Sequence, residues 1–329
     1  MRSLAGTLAA PFPYFGGKAL ACETVWGEMG DPVNYVEPFA GSAAMLLGRP
    51  NPGKVETIND ADGFVANFWR AVSYAPDAVT HHADWPCNEA DLEARHAWLV
   101  NRSERLRWQL EDPDFYDAKV AGWWVWGACN WIGSGWCAGE GPHLTNGARL
   151  FDSRKLPHLG DAGQGINRQL PHLGDAGQGE HPRSAYIRAW MMKLAERLRD
   201  VRVTCGDWTR VVKDSVTTRH GLTGVFLDPP YTLGKMDYAA GGVGGELANA
   251  VREWCKQNGE SELLRIVLCG HEHEHDELLQ HGWHLRTWTA RKGYAVTDEA
   301  VANSASETLW CSPHCVGHAD TAQAALFAV

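Results

Sequence analysis

Residues 34–47, with the sequence NYVEPFAGSAAMLL, contain the transition that decides the fold. Residues 34–39 predict a strand, residues 40–42 a tight turn around Gly41, and residues 43–47 a helix of small and apolar side chains. Residues 55–60 predict a second strand, and residues 64–72 an amphipathic helix. Strands and helices in alternation are typical of a parallel α/β sheet.

The alternation stops near residue 80 and resumes near residue 186. The stretch between them is rich first in tryptophan and then in glycine. Beyond it we predict helices at 185–199 and 246–257, and strands at 201–207, 224–230, 263–269, 284–289 and 307–311. One sheet fits this order better than two independent domains. We therefore predict a domain formed by residues 1–78 and 186–313, an inserted region at 79–185 and a tail at 314–329.

A tandem repeat lies inside the inserted region. The ten residues LPHLGDAGQG at 156–165 return at 170–179, a spacing of 14 residues. This period is too short for a solenoid repeat, and the proline and glycines favour a structured loop. Two interpretations stay open: a neutral duplication in a surface loop, or loops that enter a nucleic-acid groove.

Composition excludes several classes of protein. The chain has 329 residues, is 44% hydrophobic and 21% charged, and has a net charge of -10, so it is neither collagen-like nor disordered. No apolar run approaches the roughly 18 residues that a membrane helix needs. The nine cysteines have no framework spacing, and we expect the chain to carry no export signal, so we expect reduced thiols in a cytoplasmic protein.

The segment Asp228-Pro-Pro-Tyr231 lies at the end of a predicted buried strand. The carboxyl end of such a strand is where α/β sheets place ligands, and the two prolines stiffen the loop. The Asp228 carboxylate and the Pro229 carbonyl could accept the two N–H groups of a planar exocyclic amine, while the Tyr231 ring stacks on its base. The alternative is an ordinary turn that closes a strand.

Two further segments suit a nucleoside-like ligand. The turn at 37–43 presents helix N–H groups, and Asp60 ends the next strand about 20 residues on, where a ribose-hydroxyl acceptor is expected. Without that turn, Asp60 would be a solvated strand-end carboxylate. The segment at 13–18, PYFGGK, suggests a loop that closes over an anionic group, or simply an N-terminal loop with a surface lysine.

Together these segments resemble the DNA adenine-N6 methyltransferases of the Dam-like family, in order and spacing, over about 220 of the 329 residues. Three stretches carry the resemblance to the family's cofactor motifs and catalytic loop: Tyr14, Phe15, Gly16, Gly17 and Lys18; Glu37, Pro38, Phe39, Ala40, Gly41 and Ser42; and Asp228, Pro229, Pro230 and Tyr231. Asp60 matches the family's ribose-binding acid, and Asp207 the acid that contacts the cofactor adenine. Ala43 departs from the family's second glycine.

The resemblance implies an α/β fold with a Rossmann-like S-adenosylmethionine-dependent methyltransferase sheet and an inserted target-recognition subdomain. It implies transfer of a methyl group from S-adenosylmethionine to N6 of a flipped adenine in double-stranded DNA, as in restriction-modification or phage DNA modification. Asp228 would accept an amine proton, and no cysteine need act as a nucleophile. Cytosine-N4, RNA adenine or protein glutamine stay open as acceptors, as does a non-catalytic DNA-binding descendant.

An acidic protein needs a local basic surface to bind DNA. Residues 149–199 contain nine Lys or Arg against five Asp or Glu. The candidates for DNA contact are Arg149, Arg154, Lys155, Arg168, Arg183 and Arg188. We expect the tryptophans at 98–136 to form core and not a stacking platform.

Two histidine-containing segments raise the question of a metal. HEHEH at 271–275 alternates its histidines, but we favour a polar helix entry after a strand. Cys311, His314, Cys315 and His318 resemble zinc-finger ligands, yet Cys311 belongs to the last predicted strand. We therefore predict no metal site.

The tail carries one more short motif, QAALF at 323–327. It resembles the Gln-x-x-Leu-Phe peptides that dock on bacterial sliding clamps, which would make a clamp a partner. The alternative is that Leu326 and Phe327 pack onto the body of the protein.

Overall fold

The computed structural model describes residues 8–14, 18–131, 136–137, 183–230, 244–287 and 307–317. The strands in these ranges are β1 (Asn34–Glu37), β2 (Val55–Asp60), β3 (Val201–Cys205), β4 (Thr223–Leu227), β5 (Leu264–His271), β6 (His284–Thr287) and β7 (Glu307–Cys311). The α-helices are α1 (Cys22–Met29), α2 (Ala44–Leu47), α3 (Gly63–Tyr74), α4 (Pro76–Ala83), α5 (Glu89–Val100), α6 (Ser103–Gln109), α7 (Ala118–Asn130), α8 (Arg183–Leu198) and α9 (Gly244–Asn258).

The seven strands form one mixed sheet in the order β3-β2-β1-β4-β5-β7-β6. β1 to β5 pair in parallel, and β7 runs antiparallel to both of its neighbours. The predicted α/β class is confirmed, and the sheet is compatible with a Rossmann-like fold. The chain leaves β1 towards β2 on one side and leaves β4 towards β5 on the other, so the winding reverses between β1 and β4.

Burial explains why apolar and polar residues do not alternate along the central strands. All four residues of β1 and all five of β4 are buried, as expected for strands covered on both faces. Asp62 caps α3, because its carboxylate accepts the Phe64 backbone N–H at 2.8 Å. The apolar face of α3 then packs on the sheet beside β2 and β3.

The tryptophan-rich region is helical and shares its core with α3. Helix α4 packs on α7 and on α8, and α3 also packs on both α7 and α8. The Phe12 ring lies 4.9 Å from Trp124 and 5.2 Å from Phe68, centroid to centroid. Tryptophan as core is confirmed for Trp124 and Trp126, but wrong for Trp108, which is 78% exposed.

A buried arginine explains why several of these tryptophans lie close together. The Arg95 guanidinium lies 4.2 Å from the Trp126 ring centroid, 4.9 Å from that of Trp123 and 5.0 Å from that of Trp85. Electron-rich ring faces stabilise a cation that has left water. Three of the tryptophans therefore enclose a charge within the helical layer.

Among the residues that the structure describes, no helix combines the length and the apolar character needed to cross a membrane.

Candidate functional site

The candidate site lies where the carboxyl ends of β1 and β4 meet. Glu37 is the last residue of β1, and Asp228 follows directly after β4. The two strands are paired neighbours, and the reversal of winding between them opens a crevice beyond their carboxyl ends. The predicted strand at 224–230 ends at Leu227, which leaves Asp228 and both prolines in the loop above the sheet.

A buried lysine holds the Asp228 carboxylate. Lys18 Nζ lies 3.3 Å from Asp228 Oδ1, and the two side chains are 3% and 21% exposed. Because a buried ammonium group needs a charge partner, the pair fixes the position of the carboxylate. The structure thus joins two predicted segments that are far apart in sequence, and Lys18 pairs with Asp228 where sequence analysis expected a loop closing over an anionic group.

Glu37 is the second acidic group of the site. Its Oε2 accepts hydrogen bonds from the Tyr35 hydroxyl at 3.1 Å and from the Leu46 backbone N–H at 3.1 Å. Burial raises the pKa of Glu37 to about 8, and the nearby Asp228 charge adds to this effect while the hydrogen bonds oppose it. Glu37 is therefore mostly protonated at neutral pH, and a bound cation would favour its ionised form.

The raised pKa of Glu37 predicts a pH-dependent stability. Between its unfolded pKa of 4.5 and its folded pKa of about 8, the native state binds more protons than the unfolded state. The free energy of unfolding should therefore fall as pH rises through this window. We expect Glu37→Gln to reduce this slope in urea unfolding, whereas Gln at the exposed Glu23 should leave it unchanged. Equal slopes in the wild type and in Glu37→Gln would contradict the assignment.

The glycine turn packs against the N-terminal segment. Gly41 has a left-handed φ of 45°, and a Cβ there would lie 2.3 Å from the Tyr14 ring, so only glycine fits. Ala43, where the resemblance expects a glycine, also adopts the left-handed region, at φ 48°, a conformation that costs an alanine about 1–2 kcal/mol. The structure thus brings together Tyr14 and Gly41, two of the predicted site residues.

Asp60 holds this turn from the end of β2. Its Oδ2 accepts the Gly41 N–H at 2.8 Å, and its Oδ1 accepts the Asp62 N–H at 2.8 Å. Burial raises the Asp60 pKa to about 7, and the Asp62 charge contributes to the shift. Each carboxylate oxygen keeps a further lone pair, so Asp60 can accept a ligand hydroxyl while it braces the turn.

Asn59 has a role that sequence analysis missed. Its Nδ2 donates to the Pro38 carbonyl at 3.0 Å and to the Gly206 carbonyl at 2.9 Å, and its Oδ1 accepts the Thr204 hydroxyl at 3.0 Å. One buried amide therefore ties together the ends of β1, β2 and β3. The only indication of this role in the sequence was that Asn59, a polar residue in a predicted strand, precedes the predicted ligand-binding acid Asp60.

Asp207 lies at the carboxyl end of β3. Its Oδ1 accepts the Thr209 N–H at 2.9 Å and caps a short 3-10 helix, Trp208–Arg210. A cavity of about 580 Å³ lies beside it, lined in part by Ala61, Cys205 and Arg210. Asp207 is exposed at this cavity and retains acceptor capacity towards a ligand.

Several predicted site residues lie outside the described residues. They are Phe15, Gly16, Gly17, Tyr231, Arg149, Arg154, Lys155 and Arg168. Arg183 begins α8. Arg188, one turn further along α8, is exposed and paired with Asp77, its Nε 2.6 Å from Asp77 Oδ1.

The histidines of 271–275 do not share a face. His275 is fully buried with its ring 5.0 Å from that of Trp310, whereas the His273 side chain is 77% exposed and contacts Asp276. His271 is the last residue of β5, and residues 272–275 form a turn that leads into a 3-10 helix, Asp276–His281. This agrees with the interpretation of a polar entry after a strand.

Comparison of the chain with models of protein families found no match, and comparison with curated proteins found no significant one.

Proposed function

We propose that the protein is an S-adenosylmethionine-dependent DNA methyltransferase that acts on N6 of adenine. The observation that carries this proposal is the position of Asp228. This carboxylate follows β4 at the reversal of winding, is held by Lys18 and lies next to Glu37. Asp228 can accept hydrogen bonds from an amine, and the second acidic group beside it can face a positive charge. The pair therefore suits the transfer of a methyl group from a cationic donor to an exocyclic amine.

Asp228 and Pro229 would act on the substrate amine. The adenine amine nitrogen is a poor nucleophile because its lone pair is delocalised into the ring. The Asp228 carboxylate and the Pro229 carbonyl would accept hydrogen bonds from its two N–H groups and so shift the nitrogen towards sp³ character. The Tyr231 ring would stack on the flipped base. S-adenosylmethionine supplies the methyl group from its sulfonium. Lys18 is a positioning residue, since it acts through Asp228.

The cofactor would lie along the ends of β1, β2 and β3. Glu37 would face its positive charge, Asp60 its ribose hydroxyls and Asp207 its adenine. The raised pKa values of Glu37 and Asp60 support this arrangement, because perturbed carboxyl groups cluster where ligands bind. The tight turn at Gly41 would let the ligand approach the backbone closely.

We place DNA recognition in the inserted region, with contacts from the basic residues at 149–188. Most of them, and the tandem repeat, lie outside the described residues. Arg188 would have to exchange its exposed partner Asp77 for a phosphate, and an exposed ion pair contributes little to stability. The tail at 323–327, also outside these residues, would tether the enzyme to a sliding clamp.

The repeat offers a direct test of this placement. Deleting residues 166–179 removes one unit, and we expect it to weaken DNA binding and its salt dependence without lowering the melting temperature. Fluorescence anisotropy with labelled duplex at several salt concentrations would measure both quantities. Unchanged affinity and salt slope would identify the duplication as neutral.

Methyl transfer from tritiated S-adenosylmethionine tests the proposed function itself. We expect label in duplex DNA and none in RNA or in glutamine-containing peptides. Label in RNA or in the peptides, but not in DNA, would show that the substrate is a different amine. DNA binding without any transfer would favour the non-catalytic descendant.

A further inference from the structure

Side chains that can bind a metal ion meet beside β7 and β6, the last two strands in the order of the sheet, away from the candidate site at β1 and β4. Glu28 lies in the last turn of α1, His284 begins β6, and Cys311 ends β7. His284 and Cys311 are directly paired across the two antiparallel strands, so their side chains lie on the same face. Cys315 follows in the turn after β7.

The ligand atoms lie close enough to share one ion. A Glu28 carboxylate oxygen, a His284 ring nitrogen and the Cys311 sulfur all lie within 4.8 Å of one another. Glu28 Oε2 is 2.9 Å from His284 Nε2. The Cys315 thiol interacts electrostatically with that of Cys311, so a second sulfur lies near the first, and Cys315 Sγ also lies 3.6 Å from the Ile266 carbonyl oxygen.

The surroundings resemble the outer shell of a metal site. Arg286 Nε donates to Glu28 Oε1, which leaves Oε2 towards His284, and Arg286 Nη2 donates to the Gly317 carbonyl at 2.9 Å. The position of the Glu28 carboxylate is thus set by its neighbours, as that of ligating carboxylates commonly is.

We propose that Glu28, His284, Cys311 and Cys315 bind a structural zinc ion. Two thiolates with an imidazole and a carboxylate are a donor set that favours zinc over magnesium or calcium. Their three negative charges would offset the two charges of zinc and that of Arg286, so the buried group would be neutral. The side chains are 11% exposed or less, and such closed sites are structural ones.

The ligand set differs from the finger-like spacing in the sequence. His314 Nε2 lies 3.1 Å from the Glu260 carbonyl, and the residue is half-buried, so it lies outside the cluster of Glu28, His284 and Cys311. Glu28 and His284 come instead from distant parts of the chain. The ion would therefore tie α1 to β6, β7 and the turn at 312–317, away from the crevice at β1 and β4.

Metal analysis of the full chain tests this proposal without any activity assay, so its outcome is independent of the methyltransferase proposal. The protein, dialysed after purification with added zinc, should retain about one zinc ion per chain by mass spectrometry of the metal. His284→Gln, Cys311→Ser and Cys315→Ser should each lose most of it. His314→Ala and Cys255→Ser, a buried cysteine elsewhere, should keep it.

Cobalt substitution gives a second measurement, since a cobalt–thiolate bond produces a charge-transfer band. We expect that band in the wild type and in His314→Ala, and its loss in Cys311→Ser. A chelator should lower the melting temperature of the wild type but not that of His284→Gln. A wild-type protein without retained metal, or His314→Ala losing as much metal as Cys311→Ser, would overturn the proposal.

Discussion

Alanine at Asp228 is expected to lower methyl transfer at least about a hundredfold while leaving the affinity for S-adenosylmethionine largely unchanged. The reason is that Asp228 would contact the substrate amine, whereas Glu37, Asp60 and Asp207 would contact the cofactor. Tritiated methyl transfer measures the first quantity and calorimetry the second. Asp214→Ala, at an exposed carboxylate before the same strand, is the matched control and should retain full activity.

The buried partner of Asp228 allows a sharper version of this experiment. Asp228→Asn removes the negative charge that pairs with the buried Lys18 ammonium, so stability should fall along with activity. Adding Lys18→Met should restore the melting temperature without restoring transfer. If the double variant regains activity, or if Asp228→Ala keeps more than about a hundredth of it, Asp228 only braces the fold.

Glu56→Ala is expected to cost about 3–5 kcal/mol of unfolding free energy. Glu56 lies on β2 with a side chain only 4% exposed, and it pairs with two arginines. Arg197 of α8 donates to both of its oxygens, at 2.6 and 3.0 Å, and Arg49 donates at 3.1 Å. Removing the carboxylate therefore leaves two cations, one of them fully buried, without their shared partner.

Urea unfolding measures this effect, and an exposed pair on the same helix provides the control. Arg188 of α8 pairs with Asp77, but both side chains are about 60% exposed, so Asp77→Ala should change stability far less than Glu56→Ala. Equal losses for the two variants would show that burial does not set the strength of the Glu56 cluster.

The positions of the central strands could be predicted because each is a short buried run followed by a turn. Val55–Asp60 and Glu307–Cys311 have the predicted bounds, and Asn34–Glu37 ends two residues earlier than expected. Periodicity is a local property, however, and it does not specify which strands pair. The antiparallel insertion of β7 between β5 and β6 therefore could not be predicted.

The acids of the candidate site were predictable, but their partners were not. Strand ends identified Glu37, Asp60 and Asp228, since carboxyl ends of parallel strands share one edge. The Lys18 pair with Asp228 and the three-way role of Asn59 depend on contacts between distant segments. The same holds for Glu28 and His284 beside Cys311, where local spacing pointed to His314 instead.

The central claim is that the crevice between β1 and β4 brings a methyl donor to an adenine amine beside Asp228. Mass spectrometry of nucleosides tests it most directly, after duplex DNA is incubated with the protein and methyl-deuterated S-adenosylmethionine. We expect deuterated N6-methyl-2′-deoxyadenosine with the wild type and with Asp214→Ala, and none with Asp228→Ala. Deuterated N4-methyl-2′-deoxycytidine in its place, no labelled nucleoside at all, or equal label with Asp228→Ala would contradict this proposal.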